Sequence, residues 1–246
     1  MKSIFYLNIP FVLAWFACKE LNQSTGNKYT ATVFDTDETG VLPLVEGRSW
    51  AQATYYHLYA YLVEQHPIIA IPVATGFDYP FGPKTTYSQR NDGDGWYNRQ
   101  DFRVNSHMGE DWNREGGAAA DCGEPVLAVG DGLVIYAAAA DKTWGNIILI
   151  RHKLPNGEQV ESLYAHVQTR GMIPYLSRVK RRQIIGYVGD GADPCGDGRP
   201  YGAHLHFEMR GPKYTWWGNI GKGYDNTANA TGAFDPSNYI DTHRNL

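Results

Sequence analysis

The stretch Pro125-Val-Leu-Ala-Val-Gly-Asp-Gly-Leu-Val-Ile-Tyr-Ala137 consists of two short apolar runs that flank the turn signal Gly130-Asp131-Gly132. Apolar runs of this length, rich in β-branched residues and bounded by Gly and Asp, are typical of β-strands. Similar runs follow at 146–151, 160–165, 184–188 and 204–209. Six short strands with turn residues between them predict a mainly β domain, an antiparallel sandwich or barrel-like arrangement.

The region before this domain has a different pattern. Residues 50–65 contain no Gly or Pro, and their apolar positions recur at helical spacing, which predicts one amphipathic helix. Pro67 and Pro72 end it, because proline cannot continue a helix. We therefore predict an N-terminal tether and helix at residues 19–76, small and partly irregular, followed by the β domain at 77–240.

The first 18 residues read as an export signal. Lys2 precedes an apolar run at 4–16, which is shorter than the about 20 residues that span a bilayer. Ala17-Cys18 directly after this run resembles the cleavage motif of bacterial lipoproteins, although Trp15 stands where that motif usually has Leu. We expect export to the cell envelope, with a lipid on Cys18 as the only membrane contact. A cleaved secretory peptide without lipid is the alternative.

Composition and cysteine content narrow the class further. The chain has 246 residues, of which 43% are hydrophobic and 20% charged, so its composition is globular. The formal charge of -4 argues against a nucleic-acid binder. If the signal uses Cys18, Cys122 and Cys195 remain. A disulfide is natural in an oxidising compartment, and two buried free thiols are the alternative.

His204-Leu205-His206 is the strongest candidate for chemistry. On a strand, residues i and i+2 point to the same face, so both imidazoles project together while Leu205 faces the core. Such a pair can supply a metal ligand and a second group for proton transfer or charge stabilisation. A pair of solvated histidines on an exposed strand is the alternative.

His107-Met-Gly-Glu-Asp111 supplies a second imidazole and a carboxylate. These are zinc ligands when no cysteine cluster is available. Together with His206 they make three protein ligands and leave one coordination position open, which is the catalytic rather than the structural pattern. A water in that position loses its proton near neutral pH. On their own, His107 and Asp111 could equally belong to a loop turn around Gly109.

The other histidines are less informative. His166 and His152 each lie at the end of an apolar run, where a lone histidine is most often structural. His57, His66 and His243 are expected to be structural or solvated. The sequence contains no H-E-x-x-H helix motif, so the zinc peptidase mechanism that uses the glutamate of this motif as base is not available. It also contains no G-x-S-x-G elbow, which excludes a serine nucleophile of the kind that this elbow presents.

Over residues 100–210 the sequence resembles the lysostaphin/LytM-type zinc metallopeptidases, which cut peptidoglycan cross-links and have a duplicated hybrid motif fold. The resemblance is carried by the following motifs, in this order: His107-x-Gly-x-Asp111, Gly123-Glu-Pro-Val-Leu-Ala-Val-Gly-Asp-Gly-Leu-Val, Gly145-Asn-Ile-Ile-Leu-Ile-Arg-His152, Leu-Tyr164-Ala-His166, Ile-Gly186-Tyr-Val-Gly189 and Gly202-Ala-His204-Leu-His206-Phe-Glu208.

The resemblance implies a zinc metalloendopeptidase that hydrolyses peptide cross-links of peptidoglycan through a zinc-activated water. It implies one Zn²⁺ per chain held by His107, Asp111 and His206. His166 and His204 are implied as the catalytic pair, one as general base and the other as oxyanion stabiliser, with their order open. We expect a monomer whose partner is the wall peptide.

Two other functions remain open from sequence. A non-catalytic wall-binding regulator of another hydrolase would share this fold but usually lacks zinc ligands, and none is missing here. A phosphoryl carrier with paired histidines conflicts with the carboxylate ligand and the export signal. The sequence also departs from the family in its long link between Asp190 and Tyr201, which we expect to reshape one wall of the groove. Several tryptophans could line that groove or pack in the core: Trp112, Trp144, Trp216 and Trp217.

Overall fold

The computed structural model describes residues 70–82, 95–116, 118–141, 144–190, 195, 202–212, 223–224 and 232–246. Ile71–Leu246 form one compact unit, which contains all the elements below. The predicted signal sequence, the tether and the helix at residues 50–65 lie outside the described residues. The domain boundaries at residues 18, 76 and 240 stay predictions.

Ten strands form the framework of the described chain. They are β1 (Trp96–Gln100), β2 (Glu110–Arg114), β3 (Pro125–Leu127), β4 (Gly132–Asp141), β5 (Gly145–Lys153), β6 (Gln159–Val167), β7 (Arg178–Val179), β8 (Ile184–Tyr187), β9 (Leu205–Arg210) and β10 (Ala233–Phe234). The six predicted strands correspond to β3, β4, β5, β6, β8 and β9. The prediction of a mainly β domain is therefore confirmed.

Helical structure is limited to three short elements within the described ranges. A 3-10 helix, η1 (Val104–Ser106), precedes β2, and α1 (Ala118–Asp121) follows it. The chain continues after β10 into α2 (Pro236–Thr242). Asp235 caps α2, because its carboxylate accepts a hydrogen bond of 2.9 Å from the backbone N–H of Asn238. None of the described helices is long and apolar enough to cross a membrane.

All pairings between these strands are antiparallel, and they form two sheets. The large sheet has the order β1-β2-β9-β6-β5-β4-β7, with β10 also pairing with β9. The small sheet consists of β3 and β8. This confirms the prediction of an antiparallel β fold, and the strand order shows that the large sheet is not closed. The order brings β2 directly beside β9, so two motifs far apart in sequence become neighbours in the sheet.

Strand β9 contributes one face to the apolar core and the other face to a group of polar side chains. Leu205, Phe207 and Met209 belong to the buried apolar core. Because side chains alternate along a strand, His206 and Glu208 project from the opposite face. The predicted alternation around Leu205 is thus correct, and one face of β9 is left for polar side chains.

Residues 77–81 have no regular secondary structure but are buried. Phe77, Tyr79 and Phe81 are fully buried. The ring of Phe81 lies 4.6 Å from those of Trp96 and Trp112, centroid to centroid. We call residues 75–81 the aromatic strap. It buries large apolar surface against β1 and β2 and so stabilises the sheet edge next to the polar face of β9.

Candidate metal centre

The pairing of β2 with β9 forms the candidate site. In this register Asp111 lies directly opposite His206. His107 lies just before β2, where it forms a bridge with Tyr224. The predicted ligands therefore come from two neighbouring strands and the segment that leads into one of them. Asp111 belongs to a regular strand, and not to the loop turn considered as an alternative.

The three donor atoms converge. The distance from His107 Nε2 to His206 Nδ1 is 3.0 Å, and from His107 Nε2 to Asp111 Oδ1 it is 3.2 Å. The third side of the triangle, from His206 Nδ1 to Asp111 Oδ1, is 3.0 Å. Among the described residues, this is the group of His, Cys, Asp and Glu side chains arranged so that it could hold a metal ion.

The donor set fits zinc. A tetrahedral Zn²⁺ with nitrogen and oxygen donors at about 2.0–2.1 Å places any two donors about 3.3 Å apart. The observed triangle is within a few tenths of an ångström of that value. Two imidazoles and one carboxylate are also the donor types found in catalytic zinc sites, where one position stays open.

The backbone around His107 is shaped for this approach. A Cβ on Gly109 would lie 2.4 Å from the carbonyl oxygen of Phe207 and 2.8 Å from Cγ of Glu208. Only glycine leaves room for β2 and β9 to come this close. In the segment that precedes His107, three residues have left-handed backbone angles: Arg103, Asn105 and Ser106. Such angles are uncommon for residues with a Cβ.

His204 faces the three donors from the start of β9. Its Nδ1 lies 2.9 Å from the carbonyl oxygen of Gly202. A carbonyl oxygen can only accept, so Nδ1 of His204 carries the proton and Nε2 has the lone pair. Nε2 lies 3.8 Å from Asp111 Oδ1. The basic nitrogen of His204 is thus directed toward the metal-binding group.

A β-bulge brings His166 to the same place. Asn146 pairs with Val167 and Ile147 with Ala165, so His166 is the extra residue between them. Its φ is 62°, a left-handed value. The bulge turns the imidazole toward His204, and the two ring centroids lie 4.5 Å apart.

Burial and hydrogen bonding set the charges in this group. Burial raises the pKa of Asp111, but its hydrogen bonds with His107 and His206 outweigh this and hold the pKa well below its usual range. Burial, followed by the nearby His204 and His206, holds the pKa of His166 well below 6.5. At neutral pH Asp111 is therefore an anion and His166 a neutral imidazole.

The structure brings all five predicted site residues together, while their individual roles stay predictions. Three further residues contact them: Glu208, Trp144 and Tyr224. Glu208 could have been found, because it lies two residues from His206 on a predicted strand. Trp144 was among the tryptophans that could line the groove or pack in the core, whereas nothing in the sequence indicated that Tyr224 lies beside the site.

Several other residues have structural positions. His152 is fully buried and lies 2.8 Å from Ser162 Oγ, as expected for a structural histidine. Trp112 packs in the core, whereas Trp144 contacts the ring of His206 edge-on. His243 stacks on Tyr239. His57, His66, Trp216 and Trp217 lie outside the described residues.

Cys122 and Cys195 form a disulfide with a Cα–Cα distance of 6.2 Å. Of the two alternatives left open by the sequence, the structure has the bridge. It joins the segment after α1 to the long link that precedes His204.

The antiparallel fold and the His-Asp-His group together define a β domain with a candidate metal site, and part of its sequence matches a known family. Residues 106–216 match the model of Peptidase family M23. The match covers somewhat less than half of the chain, and over these residues it confirms the resemblance to lysostaphin/LytM-type peptidases. The match supports a hydrolase that acts on peptide bonds. A comparison with curated proteins found no significant match.

Similar solved structures include the antimicrobial peptidase lysostaphin from Staphylococcus simulans, with 21% identity and a TM-score of 0.39 over 59% of this chain and 48% of that one. Its catalytic domain alone is 20% identical, with a TM-score of 0.36 over 68% of this chain and 90% of that one. A mutant catalytic domain of the prophage-encoded M23 protein EnpA from Enterococcus faecalis is 24% identical, with a TM-score of 0.33 over 58% and 82%. This chain therefore spans about half of the full lysostaphin structure.

Proposed function

We propose that the protein is a zinc-dependent metalloendopeptidase that hydrolyses peptide cross-links of bacterial peptidoglycan. The single observation that carries the proposal is the convergence of three donor atoms, 3.0–3.2 Å apart, beside two further imidazoles. The M23 family match supports peptide-bond hydrolysis as the reaction class.

His107, Asp111 and His206 would hold the metal. Zinc bound there supplies acidification of a coordinated water and polarisation of a peptide carbonyl. The anionic state of Asp111 supports this assignment, because a deprotonated carboxylate is needed as a ligand.

His204 is proposed as the general base. Its Nε2 carries the lone pair and faces the donor group, so it can accept the proton of the attacking water. The same nitrogen can then pass that proton to the leaving amine. The other nitrogen stays bound to the Gly202 carbonyl, which keeps the ring oriented through both transfers.

His166 is proposed as the oxyanion stabiliser. Its pKa is lowered, so the imidazole is neutral and a weak base. The neutral ring still has one N–H group that can donate a hydrogen bond. That donor can hydrogen-bond to the carbonyl oxygen as negative charge develops on it. This proposal assigns one catalytic role to each histidine of the pair, an assignment that the sequence left open.

The function is tested by zinc content and by the loss of turbidity of purified sacculi, for the wild type and for His204→Ala. We expect about one zinc per wild-type chain, and a rate in His204→Ala lower by about 10²–10⁴-fold, the usual contribution of a general base. His204→Ala should retain zinc, because His204 is not a ligand. Metal-free wild type, or equal rates in the two proteins, would sink the proposal.

The scissile bond is proposed to be a D-Ala to diaminopimelate cross-link, because export as a lipoprotein favours it over a glycine bridge. Mass spectrometry of muropeptides released from sacculi tests this. Monomeric muropeptides with free D-Ala ends are expected, and products that end in glycine contradict it.

We further propose export to the cell envelope with a lipid on Cys18 and action as a monomer. The support is the apolar run at 4–16 followed by Ala17-Cys18. Wild type is expected in the membrane fraction and Cys18→Ser in the soluble envelope fraction. Equal partitioning of both proteins rules out the anchor.

A further inference from the structure

Glu208 lies directly behind the candidate metal ligand His206. The two side chains project from the same face of β9, being two residues apart. Oε1 of Glu208 lies 2.9 Å from Nε2 of His206. Nδ1 of His206 is the donor atom that faces His107 and Asp111. Glu208 thus contacts the ring nitrogen that is not directed at the metal position.

Glu208 is itself held by a row of buried charges. Its Oε2 lies 3.3 Å from Nη1 of Arg210. Arg210 pairs across the sheet with Glu161, at 3.8 Å between Nε and Oε2, and Glu161 contacts Arg151 at 2.6 Å. Glu161, Glu208 and Arg210 are at most 1% exposed. The row crosses β9, β6 and β5 and ends at His206.

This row is poorly explained by stability alone. Desolvating four charged groups is unfavourable, and well-packed apolar side chains of similar volume usually stabilise a protein as well or better. A carboxylate behind a histidine ligand, in contrast, has a specific effect. It accepts a hydrogen bond from the N–H of one ring nitrogen and so leaves the lone pair of the other for the metal.

We propose that Glu208 is a positioning residue that fixes the tautomer and ring orientation of His206 for metal binding, and that Arg210 in turn fixes Glu208. The inference rests on the proposed zinc-dependent function and assigns a role to a side chain that does not touch the metal or the substrate.

The sharpest variant is Glu208→Gln in the full chain. Arg210 requires an acceptor, so the amide oxygen of Gln turns toward Arg210 and its NH₂ group toward His206. An NH₂ group donates, so Nε2 of His206 would need the lone pair and Nδ1 the proton. That proton competes with the metal. We expect zinc affinity, measured by competition with a chromogenic chelator, to fall by about 10–100-fold.

Glu161→Gln is the matched control. It removes the same charge from the same buried row but does not contact His206. Its thermal midpoint in the metal-free state should fall about as much as that of Glu208→Gln, whereas its zinc affinity should change by less than about threefold on the same reasoning. If Glu208→Gln does not fold, the double variant Glu208→Gln with Arg210→Gln removes both charges of the pair. Without Arg210 the amide oxygen of the introduced Gln can turn toward His206, but it accepts more weakly than a carboxylate, so we expect a smaller loss of zinc affinity that still exceeds that of Glu161→Gln.

The outcomes separate this inference from the function. A wild type that binds zinc and cleaves sacculi, together with a Glu208→Gln variant that binds zinc within about threefold of wild type, overturns the positioning role and leaves the function intact. Equal losses in Glu208→Gln and Glu161→Gln also overturn it, since the effect would then be general. A wild type that binds no zinc contradicts both proposals.

Discussion

His166 combines a polar side chain of the site with a backbone angle that residues with a Cβ adopt rarely. Its φ of 62° is imposed by the bulge between β5 and β6. Left-handed backbone at a non-glycine residue is unfavourable by about 1–3 kcal/mol and persists where surrounding structure enforces it. The fold thus holds His166 in place against a local preference.

Glycine at this position should relieve the strain. We expect His166→Gly to be about 1 kcal/mol more stable than His166→Ala, because both lose the imidazole but only alanine keeps a Cβ at positive φ. Urea unfolding of the metal-free proteins measures this. Both variants should lose about 10²–10³-fold in activity on sacculi as an oxyanion donor is removed.

Ala165→Gly provides the comparison on the same strand. Ala165 is buried and does not have a positive φ, so glycine there should destabilise by about 0.5–1 kcal/mol. If His166→Gly is no more stable than His166→Ala, the backbone at His166 is not strained.

His152 gives the protein a pH-dependent stability away from the metal centre. Its Nδ1 lies 2.9 Å from the carbonyl oxygen of Asp131, and its ring is fully buried. Burial lowers its pKa to about 4. The folded protein therefore binds this proton less readily than the unfolded chain, in which the pKa is about 6.5.

It follows that the protonation of His152 does not affect stability above about pH 6.5 and lowers the free energy of unfolding progressively between about pH 6.5 and pH 4. A shift of this size corresponds to about 3 kcal/mol at the acid end. Urea unfolding of wild type and His152→Gln across this range tests it. The difference between the two proteins should shrink by about that amount toward pH 4. A constant difference would mean that His152 titrates normally. Taking the difference removes the opposing contribution of Glu110, whose pKa burial raises to about 7.

At the scale of elements, the close contact of β2 and β9 is the feature on which the site depends. Gly109→Ala would place a methyl group against the Phe207 carbonyl. We expect a destabilisation of about 1–3 kcal/mol, as for other overpacked positions, and loss of zinc binding, because Asp111 and His206 separate. Chelator competition and urea unfolding measure the two effects.

Gly211→Ala tests the specificity of that result. The nearest atom to a Cβ on Gly211 is the Gly232 carbonyl oxygen at 3.7 Å, an ordinary contact. It should leave zinc binding intact. Zinc binding by Gly109→Ala equal to that of wild type would show that the strands can part without disturbing the donors.

The strands differ in how well their residues predict them. The six predicted strands are runs of apolar, often β-branched residues, and β5 is the clearest because both of its faces are buried. Strand β2 reads Glu-Asp-Trp-Asn-Arg and has no such run. Its site face carries Asp111 and Asn113, and its core face carries Glu110, whose carboxylate accepts hydrogen bonds from Trp112 and Ser237. Strand β2 therefore lacks the alternation of apolar and polar residues from which a strand is recognised, because polar side chains occupy both of its faces.

The short elements were missed for a simpler reason. β7 and β10 have two residues each, and α2 has seven. None is long enough to show a period. The bulge at His166 was also not predictable, since it depends on the register of β6 against β5, which is set by pairing across the sheet.

At the scale of the whole molecule, the residues of the site were identified better than their arrangement. His107 and His206 are 99 positions apart, and their residue types and motif resemblance indicated a shared metal. Only the strand order β2-β9-β6 explains why they meet. The row of buried charges behind His206 depends on contacts between neighbouring strands, and no pattern within one strand predicts it.

The disulfide should contribute to the stability of the whole domain. It closes a loop between residues 73 positions apart. Removing a bridge of this kind typically costs about 2–4 kcal/mol, mainly because the unfolded chain gains freedom. We expect this loss in urea unfolding when wild type is reduced. The Cys122→Ser and Cys195→Ser double variant should match reduced wild type and show no response to reductant. An unchanged wild-type curve on reduction contradicts a stabilising bridge.

The aromatic strap has a consequence for the order in which the chain can fold. Asp78 in the strap binds Arg244, 166 positions later, and Thr75 accepts a hydrogen bond from the backbone N–H of Leu246. The strap precedes every described strand along the chain, whereas Arg244 and Leu246 follow helix α2. The contacts of the strap with Arg244 and Leu246 can therefore form only after those residues have been synthesised. Phe81 can pack on Trp96 and Trp112 earlier, whereas the ring of Phe77 meets that of Tyr239 only late, so the growing chain exposes apolar surface of the strap in the meantime.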